Sequence, residues 1–102
     1  MAEEFIEVTT KDNILDGDGK VFNIKRIPIA IFNIKGNFYA INNTCPHMGG
    51  SLGEGDLSGS IVTCPLHAWE FDVKTGICPV ADNIKVASYK VKIDGEKILV
   101  SL

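Results

Sequence analysis

The feature that most narrows the possible folds is a pair of short phrases, CPHMGG from residue 45 and CPLHAW from residue 64. Between them they hold both histidines and two of the three cysteines of the 102-residue chain. Cys45 and His47 are separated by one proline, and Cys64 and His67 by Pro65 and Leu66. A lone cysteine or histidine ordinarily packs in a core. Two matched pairs, each beside a proline, point instead to a shared metal centre. If the four side chains act together, two loops distant in sequence must meet at one point.

The rest of the chain reads as short strands between turn signals. Runs rich in isoleucine, valine and aromatic residues occupy positions 5–9, 21–25, 27–34, 38–42, 60–63, 69–73, 88–93 and 97–101. Asp94-Gly95 reads as a two-residue hairpin turn pairing Ile93 with Glu96, Val91 with Ile98 and Tyr89 with Val100. That register sets Tyr89, Val91, Ile98 and Val100 on one face and Lys90, Lys92 and Lys97 on the other. Gly36-Asn37 reads as a second turn between Ile34 and Phe38. The segment DGDGK (16–20) separates the first two strands. No helical stripe exceeds two turns. The expected architecture is all-β, a small antiparallel barrel or sandwich in one domain over residues 1–102. Both Cys-His phrases fall in turn-rich loops, about 43–57 and 63–69, placing the soft ligands outside the core.

Composition removes several function classes. The formal charge is −3, with a pI near 5.2 and no cluster of Lys and Arg, so a nucleic-acid partner is not expected. The most apolar run, residues 27–32, contains Pro28 and is far shorter than the ~20 residues of a membrane helix. The N-terminal MAEEFIEV carries acids where a secretory signal carries bases. The expectation is a cytoplasmic protein without a membrane anchor, in a compartment whose reducing poise favours metal-binding over disulfide-bonded cysteine.

Two thiolates and two imidazoles suit tetrahedral zinc, or an iron–sulfur centre in which two histidines replace two cysteines on one iron. Zinc modules usually space paired ligands by two residues or more. Cys45-Pro46-His47 has one, and each pair mixes ligand types. Two irons relieve that crowding, because neighbours in sequence can bind different metals. The full spacing is C-x-H-x₁₆-C-x₂-H.

That spacing, with CPHMGGSLGEG and CPLHAWEFDVKTG around it, resembles the Rieske iron–sulfur family. The resemblance covers nearly the whole chain and is densest over residues 43–76. It implies a small antiparallel barrel with a cluster-binding hairpin-loop subdomain. It also implies one 2Fe–2S cluster, held by Cys45 and Cys64 on one iron and by His47 and His67 on the other, outward-facing one. Gly49, Gly50, Gly53 and Gly55 suit a loop that brings backbone amides near sulfides, and Pro46 and Pro65 stiffen the turns.

The respiratory members of the family carry an extra cysteine in each loop, joined as a disulfide; Gly50 and Leu66 occupy those places here. Cys78 lies outside both loops and reads as a buried free thiol. The chain therefore resembles the soluble, disulfide-free Rieske ferredoxins. Both histidines are committed to the cluster, so none remains for a mononuclear oxygenase iron, and the chain is expected to be no enzyme. The resemblance implies a monomeric one-electron carrier between a flavin-dependent reductase and a terminal oxygenase. A Rieske-type small subunit of a larger reductase, such as assimilatory nitrite reductase, is the alternative, and a structural zinc module a remote one. Quinol-oxidising members place a serine two residues and a tyrosine four residues after the second histidine. Trp69 and Phe71 stand there and offer no hydroxyl, which implies a potential toward the low end of the Rieske range. Both read equally as docking-surface residues or as inward strand residues.

Overall fold

The computed structural model describes residues 4–46, 49–66 and 68–102. Among these residues eleven strands form three antiparallel sheets: β1 Phe5–Thr10, β2 Gly19–Ile24, β3 Ile27–Ile34, β4 Asn37–Asn42, β5 Asp56–Ser58, β6 Ile61–Thr63, β7 Glu70–Asp72, β8 Ile77–Cys78, β9 Ala81–Lys85, β10 Ser88–Asp94 and β11 Lys97–Ser101. Six of them form a nearly closed barrel in the order β1-β11-β10-β4-β3-β2. A three-stranded sheet, β5-β6-β7, and the β8–β9 ribbon make the second layer. Single 3₁₀ turns at Lys11–Asn13 and Leu52–Glu54 are the helical elements among the described residues.

The run IPIAIFNI explains the arrangement. Strand β3 is paired on both edges, with β2 and β4, and buried on both faces. Ile29 and Ile31 point into the barrel with Phe38, Ala40, Ile98 and Val100. Ala30 and Phe32 point the other way, into a second core with Ile41, Leu52, Val62 and Phe71. A strand with two apolar faces reads as a continuous apolar run rather than an alternation. Each large side chain buried this way contributes roughly 1.5–3 kcal/mol. Strands β3 and β4 are thus the wall shared by two cores, and the second core is the floor of the Cys-His loops.

The expected hairpins form with their turns displaced. Asp94 pairs with Lys97 and Val91 with Val100, so the central turn residues are Gly95 and Glu96. Gly95 has φ +62°, and a positive-φ glycine in first place is the type II′ pattern. The pairing shifts by two residues, which preserves the faces: Ile98 and Val100 are buried, Lys90, Lys92 and Lys97 exposed. In the second hairpin Asn37 pairs with Ile34, and Lys35 and Gly36 make the turn with φ +52° and +84°. Lys25, expected at the end of a strand, makes a turn with Arg26, both at positive φ. Strands β5, β8 and β9 had no counterpart in the sequence reading; two or three residues long, or polar as in ADNIK, they carry no alternation to detect.

Candidate metal centre

Cys45 and Cys64 sit on the tips of two hairpins built alike. In the first, the Leu52 N–H donates to Asn43 O at 2.9 Å, and Thr44 faces Ser51. Beyond them the Cys45 N–H donates to Gly50 O at 2.9 Å, and the Gly49 N–H closes the turn on Cys45 O at 2.8 Å. In the second, Thr63 pairs with Glu70, the Cys64 N–H donates to Trp69 O at 2.7 Å, and the Ala68 N–H closes on Cys64 O at 3.0 Å. In both, proline follows the cysteine and the closing residue is left-handed: Gly49 at φ +73°, Ala68 at +59°. The similarity of CPHMGG and CPLHAW therefore extends to the hydrogen bonds that close the two tips. For Ala68, which has a Cβ, that conformation costs about 1–2 kcal/mol, strain of the kind that collects at functional sites.

Both cysteine side chains are buried, each about 1% exposed, and both belong to the second core beside Phe71 and Leu52. The loops are at the surface as expected; the thiols, expected outside the core, line its upper wall. Turn chemistry locates a loop's backbone but not the direction of its side chains. The two hairpins meet at Gly50. A Cβ built there would stand 2.7 Å from Cys64 Sγ and 3.2 Å from Leu66 Cγ, so glycine is what admits this approach. The same contact places the Gly50 and Leu66 positions side by side. No disulfide links Cys45, Cys64 or Cys78, and Cys78 is buried on β8, beside the depression it lines with Ala68 and Trp69 of the second hairpin.

His47 and His67 lie outside the described residues. Among the described residues, no group of three or more His, Cys, Asp or Glu side chains gathers to hold a metal ion. Two thiols brought together on stiffened tips, with a glycine held against one sulfur, fit a soft metal–sulfide centre rather than a hard cation site. Of the four loop glycines, only Gly50 meets a cysteine sulfur. Gly53 packs on Val21 and Asn43, and Gly55 against the Thr63 carbonyl, so these two seat the first hairpin on the barrel and on the second hairpin. Phe71 is fully buried opposite Val62, an inward strand residue, while Trp69 is half-buried against the same core.

Around the tips the surface is apolar with an acidic border. Leu66 is 56% exposed and Val80 86%. Glu54 and Asp56 flank the groove beside Cys64, and Glu70 the depression that Trp69, Cys78 and Val80 line. Residues 43–87 carry five carboxylates against two lysines, the whole formal charge of −3; the remainder of the chain holds eight acids and eight bases. No helix among the described residues is long and apolar enough to cross a membrane.

A family model described as the Rieske [2Fe-2S] domain matches residues 4–99. The ferredoxin component of the naphthalene 1,2-dioxygenase system from Pseudomonas aeruginosa is 35% identical over 105 residues, covering 100% of this chain and 99% of the relative. Among solved structures, the ferredoxin of carbazole 1,9a-dioxygenase from Nocardioides aromaticivorans IC177 superposes with a TM-score of 0.88 at 31% identity, covering 94% of this chain and 95% of that one. A putative NADH-dependent nitrite reductase small subunit from Mycobacterium tuberculosis superposes with a TM-score of 0.91 at 19% identity, covering 100% and 97%. The last likeness is one of fold.

Proposed function

The chain belongs to the Rieske [2Fe-2S] domain family, and from that premise we propose that it is a soluble, monomeric one-electron carrier passing electrons from a flavin-dependent reductase to a terminal oxygenase. The observation that carries the reading is the pair of matching hairpins whose buried cysteines converge at Gly50. On this reading residues 1–102 act as a single Rieske domain. Cys45, Cys64, His47 and His67 would hold one 2Fe–2S cluster, the two cysteines on one iron and the two histidines on the other. Such a cluster would supply one-electron chemistry. The chain's own residues fix its ligands, exclude water from the sulfur side through Leu52, Val62 and Phe71, and present the other side to a partner. With both histidines committed, no substrate-converting site is assigned, and the protein works in the cytoplasm beside its reductase. The nitrite reductase alternative has a fold likeness at 19% identity in its favour, whereas relatives of 30% identity and above are named as ferredoxins of dioxygenase or monooxygenase systems.

The acidic border sets the kind of contact. Leu66 and Val80 supply an apolar centre, and Glu54, Asp56 and Glu70 a rim that attracts a basic surface around the partner's own redox centre. Such steering acts mainly on the association rate and is weakened by salt. Stopped-flow mixing of the reduced protein with the terminal oxygenase of the naphthalene 1,2-dioxygenase system tests the proposal. One electron per chain is expected to transfer, with a second-order rate that falls about tenfold from low to high salt. Absence of transfer contradicts the carrier reading; a rate indifferent to salt contradicts the docking face.

A further inference from the structure

We propose that Asn43 is the positioning residue for the Cys45 ligand, an inference that rests on the cluster reading above. Asn43 lies two residues before Cys45, at the neck of the first hairpin, and is 7% exposed. Its side chain spans the two arms of that hairpin. Oδ1 accepts the buried Gly53 N–H at 2.7 Å, and Nδ2 donates to Ser51 Oγ at 2.9 Å. Its backbone joins the same arms and the barrel: the carbonyl accepts from the Leu52 N–H at 2.9 Å, and the N–H donates to Pro28 O on β3 at 2.8 Å. One residue thus brackets the rigid wall of the barrel, the arm that rises to Cys45 and the arm that descends from Gly50.

The bracket cannot be replaced from the other side. A Cβ at Gly53 would stand 2.5 Å from Val21 Cγ2 and 3.1 Å from Asn43 Oδ1, so Gly53 has no room for a side chain of its own. Its N–H must be met by a short polar side chain reaching across the neck. A buried N–H left without an acceptor carries its full desolvation penalty. The cheapest relief is for the descending arm to lift toward water, breaking the bonds from Leu52 to Asn43 and from Cys45 to Gly50. That motion carries Cys45 away from Cys64 while leaving the barrel closed. Asn43 therefore holds the ligand in place without touching the cluster.

The test uses the holoprotein and its Asn43→Leu, Asn43→Asp and Ser51→Ala variants. The rate at which the visible absorption bleaches under a chelator is measured well below the melting transition, with the electron paramagnetic resonance spectrum of the reduced cluster and the far-ultraviolet circular dichroism of each variant. Asn43→Leu is close in size and leaves the Gly53 N–H unpaired; it is expected to bleach at least about tenfold faster with altered g-values and an unchanged far-ultraviolet spectrum. Asn43→Asp restores an acceptor, and the Ser51 hydroxyl turns to donate, so bleaching returns to within about twofold of wild type. Wild-type bleaching and g-values in Asn43→Leu, or an Asp variant no slower than Leu, overturn the proposal. Should Asn43→Leu fail to fold, Ser51→Ala decides, because it keeps the Gly53 bond and removes the hydroxyl that accepts from Nδ2 and donates to Oδ1. Several-fold faster bleaching supports the bracket, and a wild-type rate overturns it. A wild type with no histidine-ligated cluster fails the underlying reading, visibly before any variant is made, and takes this proposal with it.

Discussion

Phe71 contributes through the core in which its ring is held. Its place four residues after His67 suggested, by family resemblance, a missing hydroxyl near the cluster sulfurs. Its complete burial in the core that holds Cys45 and Cys64 puts the ring on that side of the loops. A donor to sulfur stabilises the reduced, more negative cluster and so raises the potential. Phe71→Tyr is therefore expected to raise the midpoint by roughly 20–65 mV, the one-electron equivalent of a hydrogen bond worth ~0.5–1.5 kcal/mol. Protein-film voltammetry reads the shift; an intact cluster at an unchanged midpoint means that the para position faces away from the sulfurs. The meeting of the two cysteine loops was legible in the sequence, because side chains that act together at one centre require it. Asn43 and Ala68 were not. Asparagine before a turn is common, and nothing in an alanine announces a φ of +59°.

At the scale of elements, the faces of the strands were readable and their turns less so. Alternation fixed which side of the β10–β11 ribbon is buried, since a slip of two residues leaves every side chain on its face. It did not fix the turn, because Asp94-Gly95 and Gly95-Glu96 are both acceptable two-residue loops. The β2–β3 turn was hidden altogether: Lys25 and Arg26 sit at φ +50° and +69° without a glycine or asparagine between them. Their hairpin survives on the six pairs from Gly19↔Phe32 to Ile24↔Ile27 and on burial of β3. The exposed ion pair from Lys25 to Glu4, at 3.5 Å, adds little. Arg26→Gly removes the left-handed strain and keeps that pair. It is expected to stabilise the protein by about 1 kcal/mol, with no change in midpoint, the turn being outside both cluster hairpins. A thermal or urea midpoint no higher than wild type means that the Arg26 side chain makes compensating contacts.

For the whole molecule, two cores share the β3–β4 wall; one closes a barrel, and the other supports two matching hairpins within the segment 43–87, which carries all the net charge. The all-β class and the loops were legible because alternation, turn residues and ligand spacing each act locally. The second core was not, since its members come from β3, β4, both cysteine hairpins, β6, β7, β8 and the residues after β7 and β9, and no local pattern ties Phe32 to Phe71. On the proposed reading this convergence holds one cluster by two cysteines and two histidines. Pulsed electron paramagnetic resonance on the reduced protein, with iron and sulfide analysis of the same sample, decides it. Two irons and two acid-labile sulfides per chain are expected, with two distinct histidine-nitrogen couplings that fall to one in His47→Cys or His67→Cys. A folded, colourless protein with stoichiometric zinc, or a cluster signal without nitrogen coupling, would contradict it.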